Sequence, residues 1–439
     1  MTHTLIYPHT AAHNDAGHLA VGGCDVTDLA ATFGTPLFVY DERTLRDQCR
    51  AYMNAFAGLV AEFEVVYASK AFCCRAMCEL IAEEGLSLDV ATGGELTAAR
   101  LAGIAPQRIY FHGNNKSRAE IELALEMGIG HLVLDSLQEI ELLDAIAGER
   151  GVRQKVLVRV TPGVKPTTHS YVQTGQVDSK FGFGLDDGLA EDAVGRVLAS
   201  GNLDLVGIHA HIGSQIFDLS SYRAAVEVLF AALAGWHRDH GFECRIFNMG
   251  GGLGIRYTEK DEPSSITEFA SAAVAAVREQ VARHDLAMPR LLVEPGRSIA
   301  GTAAITLYRV GTVKVIPGVR TYVAVDGGMS DNMRPMLYGS RYEAMIANKA
   351  DVEATVEITV AGKHCESGDV LVRDVMVAPT EPGDLLATPG TGAYGFAMAN
   401  NYNGQPRPAV IMVNDGSARV IIERESWDDV VRLQRPLHP

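Results

Sequence analysis

Residues 131–150 read HLVLDSLQEIELLDAIAGER, and two periods meet inside them. HLVLDS is a short apolar run that stops on a polar pair, the signature of a buried strand. From Gln138 onward Ile140, Leu143 and Ile146 recur at helical spacing among charged residues, which predicts a helix facing one way into a core. A strand followed at once by a helix is the repeating unit of a parallel sheet.

The same unit recurs on both sides. Strand-like runs are FEVVYASK (63–70), LSLDVAT (86–92), RIYFHG (108–113), HLVLDS (131–136), KVLVRVTPG (155–163), LVGIHAHIG (205–213), RIFNMGGG (245–252) and RLLVEPGR (290–297), with helical segments such as RAEIELALEM (118–127) between them. Eight strands alternating with helices over roughly 240 residues predict a closed, TIM-like (β/α)8 barrel over 45–300. The stretch TPGVKPTTHSYVQTGQVDSKFGFG (161–184) is a long insert after the fifth strand and is expected to be a lid or rim element.

Beyond residue 300 the texture changes. AITLYRVGTVKVI, TYVAVDGG, VEATVEITVAG, DVLVRDVMVA and AVIMVNDGSARVIIERES are strand-like and punctuated by turns such as Asn414-Asp415-Gly416. They predict a mostly antiparallel β domain over 301–439. TPLFVYDERTLRDQC (35–49) holds a strand and a helix start, and residues 1–44 are assigned to the β domain. The fold class is therefore α/β, a barrel followed by a β domain.

The chain has 439 residues and a formal net charge of −16, which speaks against nucleic acid or an anionic membrane as partner. Seven irregularly spaced cysteines do not suggest a disulfide framework, and Cys73, Cys74 and Cys78 read as packing rather than a zinc site. MTHTLIYPHTAAHND lacks the pattern of a secretory signal, and no run of 18 uncharged apolar residues follows, so a cytoplasmic protein is expected.

A barrel carries its chemistry at the C-terminal ends of its strands. Here those ends hold Lys70, Asp89, His112, Asp135, Arg159, His209, His211, Gly250–Gly252 and Glu294. A lysine at a strand's end can simply snorkel, or it can be a desolvated amine of lowered pKa that forms a Schiff base. Gly250, Gly251 and Gly252 directly after a strand let backbone N–H groups approach a phosphate. Glu294 could face a pyridine nitrogen and keep it protonated, which favours loss of CO2 over racemization. His209 and His211 leave two readings open, an H-x-H metal site completed by His112 and Asp135, or an imidazole stacked on a cofactor ring with Ser214 as phosphate donor.

The motifs YASKAF, LDVATGGEL, FHGNNKS, HAHIGSQ, GGGLGIRY, EPGRSIAG, VDGGMSDNMRPMLYG, KHCESGDVLVRD and TGAYGFAMANNYN occur in this order through most of the chain. In them the sequence resembles the fold-type III decarboxylases dependent on pyridoxal 5'-phosphate, the alanine racemase/ornithine decarboxylase superfamily. Within it the sequence is most similar to the diaminopimelate decarboxylase family, with actinobacterial forms the expected nearest match. The resemblance implies decarboxylation of meso-diaminopimelate to L-lysine. It implies that Lys70 carries the cofactor, with Asp89 nearby, and that His211 covers its ring. Ser214, Gly250, Gly251, Gly252 and Tyr394 would hold its phosphate, Glu294 would meet its ring nitrogen, and Gly296 and Arg297 would lie beside it. Arg297, Arg334, Tyr338 and Tyr394 would take the substrate's far carboxylate, and Glu366 its far ammonium. Cys365 would return a proton, reaching in from the partner subunit of a homodimer whose active sites lie at the interface.

Overall fold

The computed structural model describes residues 5–164 and 179–438, so most of the predicted rim element lies outside the described residues. The chain divides into two compact units, one of Gln48–Gly254 and Glu262–Gly296, the other of Met1–Asp47, Ile255–Asp261 and Arg297–Pro439.

In the first unit all eight anticipated strands are present: β1 (Phe63–Ala68), β2 (Ser87–Val90), β3 (Ile109–Phe111), β4 (His131–Leu134), β5 (Gln154–Thr161), β6 (Leu203–His209), β7 (Ile246–Asn248) and β8 (Arg290–Val293). Each pairs in parallel with the next, and β8 returns to β1 through Leu292↔Glu64, which closes the barrel. Inward residues fill it: Val66, Tyr110, Val133, Leu157, Val206, Ile246 and Leu292 form one buried layer contributed by seven of the strands. A short extra strand, Phe183–Gly184, adds to β5 beyond the insert.

The turn after a strand is stopped and restarted by a capping residue. Thr92, Ser117 and Ser136 each accept the N3 amide of the helix that follows, and Ser117 makes a full capping box with Glu120. A buried ion pair adds to this. The Lys116 ammonium donates to the Glu139 carboxylate (2.5 Å) and to the carbonyls of Gly113 and Val133 (both 2.7 Å), tying the loop after β3 to the end of β4. At the opposite end of the strands a cavity of about 850 Å³ is lined by residues such as Gln107, His131, Lys155 and Arg290, on the face where barrels keep stability rather than chemistry.

The second unit is a mostly antiparallel sheet built on Ala304–Ile316, which pairs with Leu37–Asp41, Arg320–Val325 and Leu385–Pro389. Two pairings are parallel, Leu37–Asp41 with Ala409–Asn414 and Arg320–Val325 with Val356–Ala361. Ala409–Asn414 turns back into Ser417–Ile422 at Asp415 and Gly416, both with positive φ, as the Asn-Asp-Gly motif requires. A small three-stranded sheet over Ala12–Asp25 and a helix, Val26–Phe33, precede Leu37.

Candidate active site

β1 stops at Ala68, two residues earlier than the run FEVVYASK suggests. Ala68 donates its amide to Pro295, and the chain then turns through a single 3-10 turn, Ser69–Ala71. Ser69 and Ala71 are buried while Lys70 is exposed. Of the two readings of Lys70, its exposure favours the accessible amine over the desolvated one. Two ionisable groups feel its charge, Asp89 near the end of β2 and His211 beyond β6.

Glu294, the residue after β8, is the centre of the cluster at the barrel's end, 6% exposed. His112 Nε2 lies 2.8 Å from Oε1, Asn248 Nδ2 donates to Oε1 at 2.7 Å, and His209 Nε2 lies 3.1 Å from Oε2. Burial raises the carboxyl's pKa, but the two imidazoles outweigh it and hold Glu294 well below the usual range. The two histidines respond in opposite senses. His112 is lowered by burial, yet Asp89 and Glu294 together carry it above its ordinary value. For His209 burial wins, and its pKa falls to about 4. Burial, aided by Lys70 and Arg159, also pushes His211 well down and keeps it neutral. Asp89 rises to about 6, chiefly through burial.

These contacts bear on the metal reading of the H-x-H motif. The atoms that gather are those of His112, His209 and Glu294, not His209 with His211 and Asp135. His209 Nε2 makes a hydrogen bond to the carboxylate, while His112 Nε2 stands beside it as an ion-pair contact. Asp135 instead accepts the Gly182 amide at 2.6 Å and lies 3.8 Å from Arg159.

The glycine turn is fixed through its carbonyls. Gly250 O accepts Glu294 N (2.8 Å), Gly251 O accepts the Tyr222 hydroxyl (2.9 Å) and Gly252 O accepts Ile216 N (2.9 Å). Gly250 and Gly252 have φ of +68° and +121°, and a Cβ on Gly251 would run into the main-chain carbonyl of Glu294. The amides are less uniform than expected. Gly250 N donates to Asn248 Oδ1 at 2.9 Å, and Gly251 N approaches His211 Nδ1 at 3.3 Å. Gly250 therefore shapes the turn while its own N–H is already engaged.

The second unit gathers another set. Arg297 and Arg334, both buried, donate to the same phenol oxygen of Tyr257, at 2.5 and 2.7 Å. Arg334 also reaches Ser340 Oγ at 3.2 Å and has no carboxylate partner among the described residues. The Tyr394 ring lies under Arg297 at 4.7 Å, and the Tyr338 ring 5.9 Å from Arg334. Tyr394 holds φ of +61°, a strained value for a bulky side chain. Cys365 is exposed, its amide bound to Asn403, and the Tyr402 hydroxyl is 3.5 Å from Glu366. The loop carrying both is braced by Asp369, which accepts the amides of His364 (2.9 Å) and Met329 (2.7 Å).

Residues 42–301 match the family model described as the pyridoxal-binding domain of pyridoxal-dependent decarboxylases. The chain is 49% identical to the diaminopimelate decarboxylase of Halalkalibacterium halodurans, covering 99% of both, and 49% identical to that of Bacillus subtilis, covering 97% of both. The diaminopimelate decarboxylase from M. jannaschii, solved in complex with L-lysine, superposes with a TM-score of 0.91 at 34% identity over 98% of each chain. The chain belongs to the diaminopimelate decarboxylase family of pyridoxal-dependent decarboxylases.

The expectation that actinobacterial forms would match best is corrected, since the Mycobacterium tuberculosis protein is 44% identical. The residues of this family member fit its cofactor, pyridoxal 5'-phosphate. A buried, ionised carboxylate suits a protonated ring nitrogen, a rigid glycine turn suits a phosphate, and an exposed lysine suits an aldehyde. Sequence reading does not single out Asn248 or Tyr257, and it names His112 without its carboxylate partner. Asn248 was visible only as the polar end of the strand preceding the glycines. His112 had been noted as a strand-end residue without its partner Glu294. Tyr257 closes the motif GGGLGIRY, where the glycines drew the attention.

Proposed function

We propose that this protein removes one carboxylate of meso-2,6-diaminopimelate as CO2 and releases L-lysine, the last step of lysine biosynthesis. The observation that supports this substrate is the Arg297–Arg334 pair. Arg334 is buried without a carboxylate partner among the described residues, and both guanidiniums share one phenol. A buried charge of this kind costs several kcal/mol unless a ligand compensates it. Ornithine, arginine or lysine has no second carboxylate to offer, whereas diaminopimelate has.

Bound pyridoxal phosphate supplies an electron sink for the pair left behind when the C–CO2 bond breaks. Lys70 holds that cofactor through its amine, and Glu294 keeps a proton at the ring nitrogen. His211 covers the ring as a neutral imidazole. Ser214, Tyr394 and the turn Gly250–Gly252 bind the phosphate, while Gly296 allows close approach beside Arg297. Asp89 stands near Lys70 and can exchange a proton close to neutral pH. Arg297, Arg334, Tyr338 and Tyr394 orient the far carboxylate, and Glu366 takes the far ammonium. Cys365 delivers a proton to the carbon that lost CO2. Its exposure on the single chain supports a homodimer in which each subunit lends Cys365 and Glu366 to the other. A cytoplasmic location follows from the reaction, which serves amino-acid synthesis.

The test is an absorbance spectrum of the purified protein with added cofactor, then product analysis. A band near ~420 nm bleached by borohydride, with equimolar CO2 and L-lysine from meso-diaminopimelate, is expected. Comparable CO2 release from ornithine, arginine or lysine would refute the substrate. Interconversion of stereoisomers without CO2 would refute the reaction.

A further inference from the structure

Tyr257 has no role in the function as proposed so far, yet its hydroxyl oxygen accepts a hydrogen bond from both arginines. Its oxygen receives Arg297 Nη1 and Arg334 Nη1, which use both of its lone pairs. The two guanidiniums also lie over its ring, at 5.7 and 4.8 Å. Tyr257, Arg297 and Arg334 are 5%, 6% and 5% exposed, so water does little to screen the two like charges from one another.

The phenol is itself immobilised. Tyr257 belongs to a hydrophobic cluster with Tyr308, Val323 and Tyr342, and packs edge-on to Tyr342 at 5.1 Å. Its amide donates to Asp261 Oδ2 at 3.0 Å, which anchors the segment. A fixed oxygen that accepts from two guanidiniums leaves their other N–H groups directed by it. Arg334 Nε, buried and without a partner, is one such group.

We propose that Tyr257 is a specificity-determining positioning residue: it aligns Arg297 and Arg334 as a single receptor for a substrate carboxylate. This rests on the function proposed above. Burial raises the phenol's pKa, but the two arginines outweigh it and bring it below the ordinary value. Without it, the two guanidiniums lose the acceptor they share.

L-lysine keeps the carboxylate that the reaction leaves untouched, so it presents that group to the pair. 1,5-Diaminopentane is the same chain without it. The experiment measures inhibition of the holoenzyme by both compounds, in the wild type and in Tyr257→Phe. The KM for meso-diaminopimelate and the Ki for L-lysine are expected to rise ~10-fold or more, with kcat less affected. The Ki for 1,5-diaminopentane should stay within about twofold. Equal weakening of both inhibitors, or of neither, overturns the role. 4-Fluorophenylalanine at position 257 keeps an atom in the hydroxyl's place that accepts hydrogen bonds only weakly. It should weaken L-lysine alone, and an unchanged ratio overturns the proposal even if the phenylalanine variant does not fold. A wild type that prefers L-lysine no more than 1,5-diaminopentane refutes the underlying function as well. An intact wild-type preference with an unchanged variant refutes only Tyr257.

Discussion

Replacing Glu294 by glutamine keeps the volume and removes the charge. His112 Nε2 is 2.8 Å from the carboxylate, and at an effective dielectric constant of ~20 that separation is worth about 6 kcal/mol of attraction. Burial of both partners offsets most of it, and breaking such a pair costs ~3–5 kcal/mol. Glutamine still offers an oxygen to Asn248, so the lower end, about 3 kcal/mol, is expected near neutral pH. The sign with pH follows from the shifts. Glu294 is depressed, so its stabilisation is present above its unfolded pKa and disappears as pH falls through the folded value. His112 is raised, so its share is present below its unfolded pKa and is lost as pH rises through its folded value. The stability deficit of Glu294→Gln should therefore shrink toward acid. For the cofactor-loaded enzyme, kcat should fall by ~10²–10³, because the ring nitrogen loses its counter-charge. Thermal melts across pH and CO2 release at confirmed cofactor occupancy measure both effects. A kcat within threefold of wild type at full occupancy, or a deficit that grows toward acid, would refute the reasoning.

In Gly251→Ala the added methyl is forced against the Glu294 carbonyl, and the turn and the acid move together. The apparent cofactor affinity should fall ~10²-fold for a stability loss of ~1–3 kcal/mol, read by cofactor titration and melting; unchanged affinity would show that the turn does not hold the phosphate. Asp331 is buried and its pKa is pushed up, mainly by burial, to about 7. Its raised value means stability present below its unfolded pKa and lost as pH rises through about 7, so Asp331→Asn should gain ~2 kcal/mol at pH 8 relative to pH 5. Equal gains at both pH values count against that account. Cys365 is exposed, so Cys365→Ala should leave the melting temperature within ~1–2 °C while lowering kcat ~10-fold or more, and an unchanged kcat would remove it as the proton donor.

The barrel was legible because each βα unit announces itself twice, by a change of period and by a cap. Thr92, Ser117 and Ser136 stand where the strand pattern stops. Ala12–Asp25 was missed because strands of two or three residues show no period, and Leu385–Pro389 because it ends on proline and glycine. The parallel pairings in the second unit could not be read at all, since strand direction is set by partners far apart in sequence. The site divides in the same way. Lys70 and Glu294 stood out as charges in apolar company. Their environments did not, because the exposure of Lys70 depends on a turn after Ala68, and the ionisation of Glu294 depends on His112, 182 positions away in the chain.

Lys116 and Glu139 show what a purely structural ion pair looks like in this protein. Opposite charges are matched one to one, and the ammonium is saturated by two further carbonyls. The candidate site is compensated differently. Glu294 is faced by His112, whose pKa is raised, and by His209 as a hydrogen-bond partner, and Arg297 and Arg334 both donate to Tyr257. A histidine can gain or lose a proton; the guanidiniums cannot. A cation delivered to Glu294 can then be offset by loss of the His112 proton. Fixed counter-ions in those places would have to be displaced before a ligand of the same sign could bind, at a cost of several kcal/mol. A titratable histidine lets the free protein bury the Glu294 charge and still receive a cation there.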